Sequence, residues 1–549
     1  MLINHRKIEL AHELLDTSDQ DSLNLSSCWN SFGLYHQTQY VIRLSYSVHN
    51  LVESAVKKEG KNVTWKELQA FSTYLHETVH WWQFKGSTIG FIMSMCFPAQ
   101  AHSNLEPLQN LAKSKSAKKP LISWAEAEML DGKDHHTPDI AFANSATNNT
   151  LDIEFYRALI LDRSRLDDIA PQNYFQSTAH SFDIAYNKSI SILRAVFDPE
   201  AKFLPNPDDW YDALKELEKD RKPGHFYGST IPQHPIKGLD IIEGQARFIQ
   251  LQFLSSASEQ QLTIQQVEEE GYLKGEYGDA FRFFLESTGS KAPELIDSPL
   301  VGLFLLLCDI SLNPTEGFPK TITNTDKFPE SVDCSYRFTL LCSAVKENPH
   351  LKEHIKNYSN KEYFEAAQIL TSHCNFEHPH DIPLTVKKWE NEQSIIKELL
   401  NQQKEFSYAE DNIVIKVLFS HFLAFNIDKY QDPSFFCWTG KHFNFENKNS
   451  HKEELWLKNL SLYSDSSTDQ TILPRMLPGK SEKNIKNTFN AFYAANIVYS
   501  ISNQWVMQEG PFKYDFSWLT EQEDPEIVEN KAKELFEKIY SINPDNIPY

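Results

Sequence analysis

The stretch from Thr64 to Gly86 constrains the fold more than any other part of the chain. Thr64 and Glu67 stand in the Ser/Thr-x-x-Glu spacing of a capping box, where each side chain satisfies a backbone N–H that the first helical turn leaves without a partner. Apolar residues then recur at Trp65, Leu68, Phe71, Leu75, Val79 and Trp82, three or four apart, which draws one buried stripe along an α-helix. Lys85-Gly86 supplies a stop. A helix over 64–84 therefore has to find large apolar partners. The chain can provide them, because 41% of its residues are hydrophobic and 13% aromatic. With only 18 Gly and 26 Pro in 549 residues, long regular elements are favoured over a turn-rich β-sandwich. The length exceeds what one ordinary core supports, so two or three structural units are expected.

Elsewhere the pattern is mostly helical. Residues 39–48 alternate (Tyr40, Ile42, Leu44 and Tyr46 on one face) and predict a strand, followed by a short helix over about 50–58 and a polar turn at Glu59-Gly60-Lys61-Asn62. Residues 101–150 read as irregular around one helical patch near Trp124. Helical spacing returns at about 151–168, 178–197, 208–219, 237–255, 277–288 and 297–311, and again at 383–405, 408–425, 484–505 and 525–541. A polar loop is expected over 440–483. The fold class implied is mainly α (α+β): a catalytic unit over 1–312 with a small N-terminal sheet and a large insertion around 101–230, a linker over 313–335 rich in Pro and Thr, and a helical C-terminal unit over 336–549.

The 64–84 helix carries His76-Glu77-Thr78-Val79-His80. Positions i and i+4 lie one turn apart on one face, so His76 and His80 can offer two imidazole nitrogens to a single Zn²⁺, which binds such nitrogens at about 2.0–2.1 Å. Glu77 projects along a different vector. It can reach a water in an open coordination position and take its proton as that water attacks a carbonyl. The plain alternative is a pair of histidines hydrogen-bonded inside an aromatic core, with Glu77 exposed.

His-Glu-x-x-His resembles the signature of the zincin metallopeptidases. The metzincin extension would place Gly three and His six residues after the second histidine, where this chain has Gln83 and Gly86. The gluzincin branch takes its third ligand from a Glu on a later helix, and the resemblance points to Glu243 in Leu239-Asp240-Ile241-Ile242-Glu243-Gly244-Gln245-Ala246-Arg247. Small Gly244 and Ala246 would let that helix approach the 64–84 helix. Glu126, Glu128 and Glu154 are rival ligands. Thermolysin-like members carry Asp four residues after the ligand Glu; here Arg247 stands there, and an i,i+4 ion pair between Glu243 and Arg247 is the competing reading of both. Asp240 or Gln83 could orient a histidine, and His225, Tyr227, His234, Tyr272 and Tyr277 are candidate donors to a developing oxyanion. The resemblance implies a zincin-like catalytic unit, zinc as native metal, Glu77 as general base, and a strand beside the active-site helix that holds substrate extended, for which 40–48 is the candidate. The implied activity is hydrolysis of a peptide bond in a protein or peptide substrate. The alternatives are a zinc hydrolase of a non-peptide amide or ester, and an inactive zincin-like interaction protein.

Charge and cysteines narrow the setting. A formal net charge of -22 repels phosphate backbones and anionic lipids, so neither nucleic acid nor membrane is expected as a partner. The longest apolar run, Leu300–Cys308, is too short for a bilayer. Seven cysteines without Cys-x-x-Cys spacing suggest reduced thiols, and with no apolar leader at 1–7 the expected location is cytoplasmic. An active peptidase there needs restraint, so a regulatory protein partner is expected beside the substrate. His373-Cys374 with His378-Pro379-His380 reads as a polar loop, and His135-His136 as solvated residues pointing apart.

Overall fold

A computed structural model describes residues 14, 28, 31–58, 62–257, 261–443 and 450–549; the turn expected at 59–62 falls largely outside them. The described chain is helix-dominated, with a mixed sheet in the order β1 (Gly33–His36), β2 (Val41–Leu44), β3 (Tyr463–Asp465), β4 (Ile472–Pro474). β1 and β2 run antiparallel with Tyr35 opposite Ile42; β2 meets β3 in parallel at Ile42–Ser464; β3 and β4 are antiparallel. The expected strand over 39–48 is therefore cut to four residues. At Ser45 the chain turns into helix α1 (Tyr46–Lys57). The alternation of Tyr46 and Ser47 with the residues before them is real, but it runs into a helix whose own face buries Val48 and Ala55.

Helix α2 (Trp65–Gly86) forms as its cap dictates. Thr64 Oγ1 accepts from Glu67 N at 3.3 Å, and Glu67 Oε2 accepts from Thr64 N at 2.7 Å. Lys58 adds an ion pair to Glu67 at 2.7 Å. Beyond its first turn α2 is buried on nearly every side, so Trp81 and Phe84 face partners as fully as the expected stripe does. One wall is the helix Ile413–Gln431, whose Phe425 stands where a Cβ on Gly86 would lie, only 2.1 Å away. Gly86 is thus required by close approach; the helix itself ends at Ser87, which caps α3 (Thr88–Ser103) through Gly90 N at 3.0 Å. A second wall is the helix Gly238–Ser256, met through Phe71–Phe253 (5.5 Å between ring centroids) and Gln250 Nε2 donating to Ser72 Oγ at 3.0 Å.

Residues 101–150, expected to be irregular, are helical: α4 (Leu105–Ser114), α5 (Leu121–Leu130) and α6 (Pro138–Leu161). The polar run 144–150 is helical here because Asn148 and Asn149 are answered by tertiary partners. Asn148 donates to Tyr174 O at 2.7 Å and Asn149 to Asn104 Oδ1 at 3.2 Å, so they do not compete with the helix backbone. The polar loop expected at 440–483 likewise contains the helix Ser450–Lys458 and strands β3 and β4. The 383–405 helix is two, Asp381–Glu392 and Ser394–Glu405. The stretch 313–335 contains a short helix, Phe328–Val332, and buries Phe318, Phe328 and Val332; the sheet and the walls around α2 draw on residues from both sides of it.

Replacing Gly86 by Ala should force Phe425 to move and cost about 1–3 kcal/mol, whereas Thr64→Ala should cost about 1 kcal/mol through the lost cap. Urea-unfolding midpoints of the two variants should fall in that order.

Candidate metal centre

His76 and His80 sit on consecutive turns of α2, and the Gly238–Ser256 helix brings Glu243 against both. The two Nε2 atoms are 3.0 Å apart, and Glu243 Oε2 lies 3.2 Å from each. Ligands bound to one tetrahedral ion at 2.0–2.1 Å stand about 3.3 Å from one another, so this triangle has the dimensions of one face of a zinc coordination sphere. Glu243 is the most accessible of the three side chains, at 19% against 6% and 7% for the histidines.

The tautomer of His80 follows from its neighbours. Gln83, one turn further on, donates from Nε2 to Ile242 O at 2.9 Å, which fixes its amide and leaves Oε1 as an acceptor. That oxygen lies 2.8 Å from His80 Nδ1, so Nδ1 carries a proton and Nε2 is the nitrogen that faces the triangle. Gln245 Oε1 accepts a second bond from Gln83 Nε2 at 2.8 Å, tying the orienting group to the helix that carries Glu243. Gln83 thus fills the orienting role foreseen for it. Asp240 does not: it accepts from Lys237 N at 3.0 Å and caps its own helix. His76 has no comparable anchor, since its Nδ1 is buried without a partner, and its ring is held by an edge contact with Tyr277 at 5.9 Å and by what Nε2 meets.

Protonation reflects the crowding. Burial pushes His76 down to about 3 despite its hydrogen bond to Glu243. Burial acts on His80 in the same sense, but the charge of Glu243 overrides it and holds His80 up at about 9. For Glu243 burial favours the neutral acid, yet His80 and His76 together drop its carboxyl well below the usual range.

Glu77 is buried (5% exposed), contrary to the surface position that a purely structural pair of histidines would leave it. Burial pushes its carboxyl up to about 7, with Glu243 adding to the rise and His80 and the backbone N–H of Tyr35 opposing it. Tyr35 belongs to β1, which has no strand partner on its outer side among the described residues. Gly33, two residues earlier, lies so close that a Cβ there would stand 2.8 Å from both Cγ and Oε1 of Glu77. The strand beside the active-site helix with a free edge is therefore β1. The expected candidate, 40–48, is excluded because β2 is paired on both sides. No alternation announced β1, a four-residue strand containing Gly.

Other expectations resolve by geometry. Glu154 pairs with Arg157 at 3.0 Å and Arg165 at 3.2 Å, Glu128 pairs with Lys133, and Glu126 meets Asn173 at 3.5 Å, so none of these rivals joins the histidines. Arg247 makes no ion pair with Glu243; its guanidinium lies over Tyr277 at 4.0 Å and Tyr272 at 5.4 Å. Gly244 faces Phe304 and Ala280 rather than α2, and the approach of the two helices rests on the glutamines instead. Of the five candidate oxyanion donors, Tyr277 and Tyr272 lie in this cluster, whereas His225 and Tyr227 line a separate cavity of about 270 Å³ beside His180, and His234 packs on Tyr336. Asp134, His135 and His136 also converge, but fully exposed on one turn, and the two rings lie 3.9 Å apart instead of diverging. Gln245 and Gly33 carried no signal in the sequence.

The His76-Glu77-x-x-His80 motif with Glu243 beside it matches an HExxH zincin site of gluzincin type, set in a helix-rich fold with a small sheet. The donor set and its spacing fit Zn²⁺, and with Glu77 adjacent the arrangement is that of a zinc-dependent hydrolase working through an activated water and a glutamate base. No family model, curated protein or solved structure matches this chain. Among the described residues no helix is long and apolar enough to cross a membrane.

Removing the orienting amide in Gln83→Ala should weaken zinc binding about 10–100-fold while leaving the fold intact, read by competition with a chromogenic chelator. Gly33→Ala should leave zinc affinity within about threefold of wild type, since it displaces Glu77 and none of the three donors.

Proposed function

We propose that the chain is a zinc-dependent endopeptidase acting on a protein or peptide substrate. The observation that carries this reading is the triangle of His76, His80 and Glu243 with a buried Glu77 wedged between it and the free edge of β1. In this reading those three residues hold the ion. Zinc, when bound, lowers the pKa of its water to about 7 and polarises the scissile carbonyl. Glu77, poised near neutrality, accepts the proton of the attacking water and returns it to the departing amine. The free edge of β1 supports a peptide as substrate, because an extended chain laid along it pairs its backbone groups as an added strand. Such pairing would claim the Tyr35 N–H and release Glu77 to face the water.

The setting is part of the same proposal. Cys96, Cys308, Cys334, Cys342, Cys374 and Cys437 are free thiols, which supports a cytoplasmic location. A net charge of -22 argues for protein rather than nucleic-acid partners, including a partner that restrains the activity.

Two variants test the reading. His80→Ala should lose bound zinc by elemental analysis. Glu77→Gln should keep zinc but lower peptide cleavage by at least about 100-fold in proteome-wide mapping of new termini. Cleavage that survives Glu77→Gln unchanged would remove it.

A further inference from the structure

Arg247 is a cation without a counter-ion at the edge of the metal centre. It follows Glu243 by one helical turn, on the same face, so the two side chains emerge side by side. Its guanidinium lies 4.0 Å over Tyr277, the ring that borders His76, and 5.4 Å from Tyr272. One terminal nitrogen donates to Gln250 Oε1, and Gln250 is itself held by Ser72 of α2 at 3.0 Å. The group is thus packed on two rings and tied through Gln250 to α2, which a freely extended surface arginine is not. Yet Nε is buried with no hydrogen-bond partner, and no carboxylate among the described residues lies within ion-pair distance. Arg247 is half-buried, and Gln250 is the one hydrogen-bond partner its guanidinium has among the described residues, where such a group ordinarily finds an anion or several carbonyls. Buried Arg337, whose Nε likewise has no partner, still gives its terminal nitrogens to two carbonyls, Ser331 O at 3.1 Å and Ile310 O at 3.0 Å.

The charge balance points the same way. Glu243 is committed to the two histidines, and no acidic side chain makes an ion pair with Arg247 among the described residues, so its positive charge is left for a ligand. A planar fork with unused N–H groups matches a carboxylate better than any neutral partner.

We propose that Arg247 recognises a carboxylate on the substrate, so that the enzyme prefers peptides with an acidic group next to the bond it cleaves. The assignment rests on the zinc-hydrolase reading above. The carboxylate is either a chain terminus or an Asp or Glu side chain, and both offer the same oxygen pair.

The test uses the zinc-loaded full chain and three peptidyl hydroxamates of equal length, titrated by calorimetry: one neutral with an amidated end, one with a free C-terminal carboxylate, and one amidated with an Asp side chain. At least one acidic probe should bind about 10–100-fold tighter than the neutral one, as expected for a charge-assisted hydrogen bond in a partly desolvated site. Which acidic probe wins tells a terminal carboxylate from a side chain. In Arg247→Gln the preference should shrink below about threefold, with the neutral probe and the zinc content unchanged; Arg247→Lys should keep part of it as a point charge without the fork. Equal binding of all three probes to wild type, or a preference that survives Arg247→Gln, overturns the assignment and leaves the hydrolase reading standing. Lost cleavage in Arg247→Gln without any probe preference also overturns it, and makes the guanidinium a stabiliser of the transition state alone. If no hydroxamate binds the zinc-loaded wild type, both readings fall.

Discussion

Two imidazole nitrogens and a carboxylate oxygen stand within 3.2 Å of one another, and the surrounding architecture serves to keep them there. Three electron-rich atoms at that spacing repel unless a proton or a cation sits among them, so the helices bearing them must be clamped by other means. Gln83 does this at the site itself, bonding His80 on its own helix and Ile242 and Gln245 on the facing one. Gln250 with Ser72, and Phe71 with Phe253, close the same interface further along. Behind α2, the Phe425 ring against Gly86 removes the space into which the helix could retreat.

The sheet solves a different problem, bringing a substrate-side edge up to Glu77. β1 cannot hold its place alone: it leans on β2, and β2 is fixed by residues more than 400 positions later. Asp465 accepts from Leu44 N at 3.2 Å and from His49 Nε2 at 2.7 Å, while buried Arg43 donates to Gln470 O and Trp518 O. A strand whose backbone lies against the general base is therefore positioned by the C-terminal part of the chain. Disturbance near residue 465 would reach Glu77 through two strands and no covalent neighbour.

Charges are unevenly distributed around the centre. Glu77 is held in a buried place that lifts its carboxyl toward neutrality, while Arg247 lies over Tyr277 and Tyr272 with no ion pair among the described residues.

Much of this centre could be read from the residues alone. A capping box at Thr64, a stripe at helical spacing, and His-Glu-x-x-His near its end are local properties, set by the 3.6-residue turn, and the structure keeps all three. Glu243 was accessible by a longer step, because an acid amid Ile241, Ile242 and Phe248 needs a partner. What tertiary structure alone decided are the contacts with no local period: Gly33 against Glu77, Gln245 against Gln83, Arg247 on Tyr277 rather than on Glu243, and the union of strands from both ends of the chain. The helical state of 144–150 belongs with these, since Asn148 and Asn149 sit well in a helix once distant groups accept their hydrogen bonds. Sequence specifies which atoms can meet along one helix; which helices and strands meet each other depends on packing summed over the whole core.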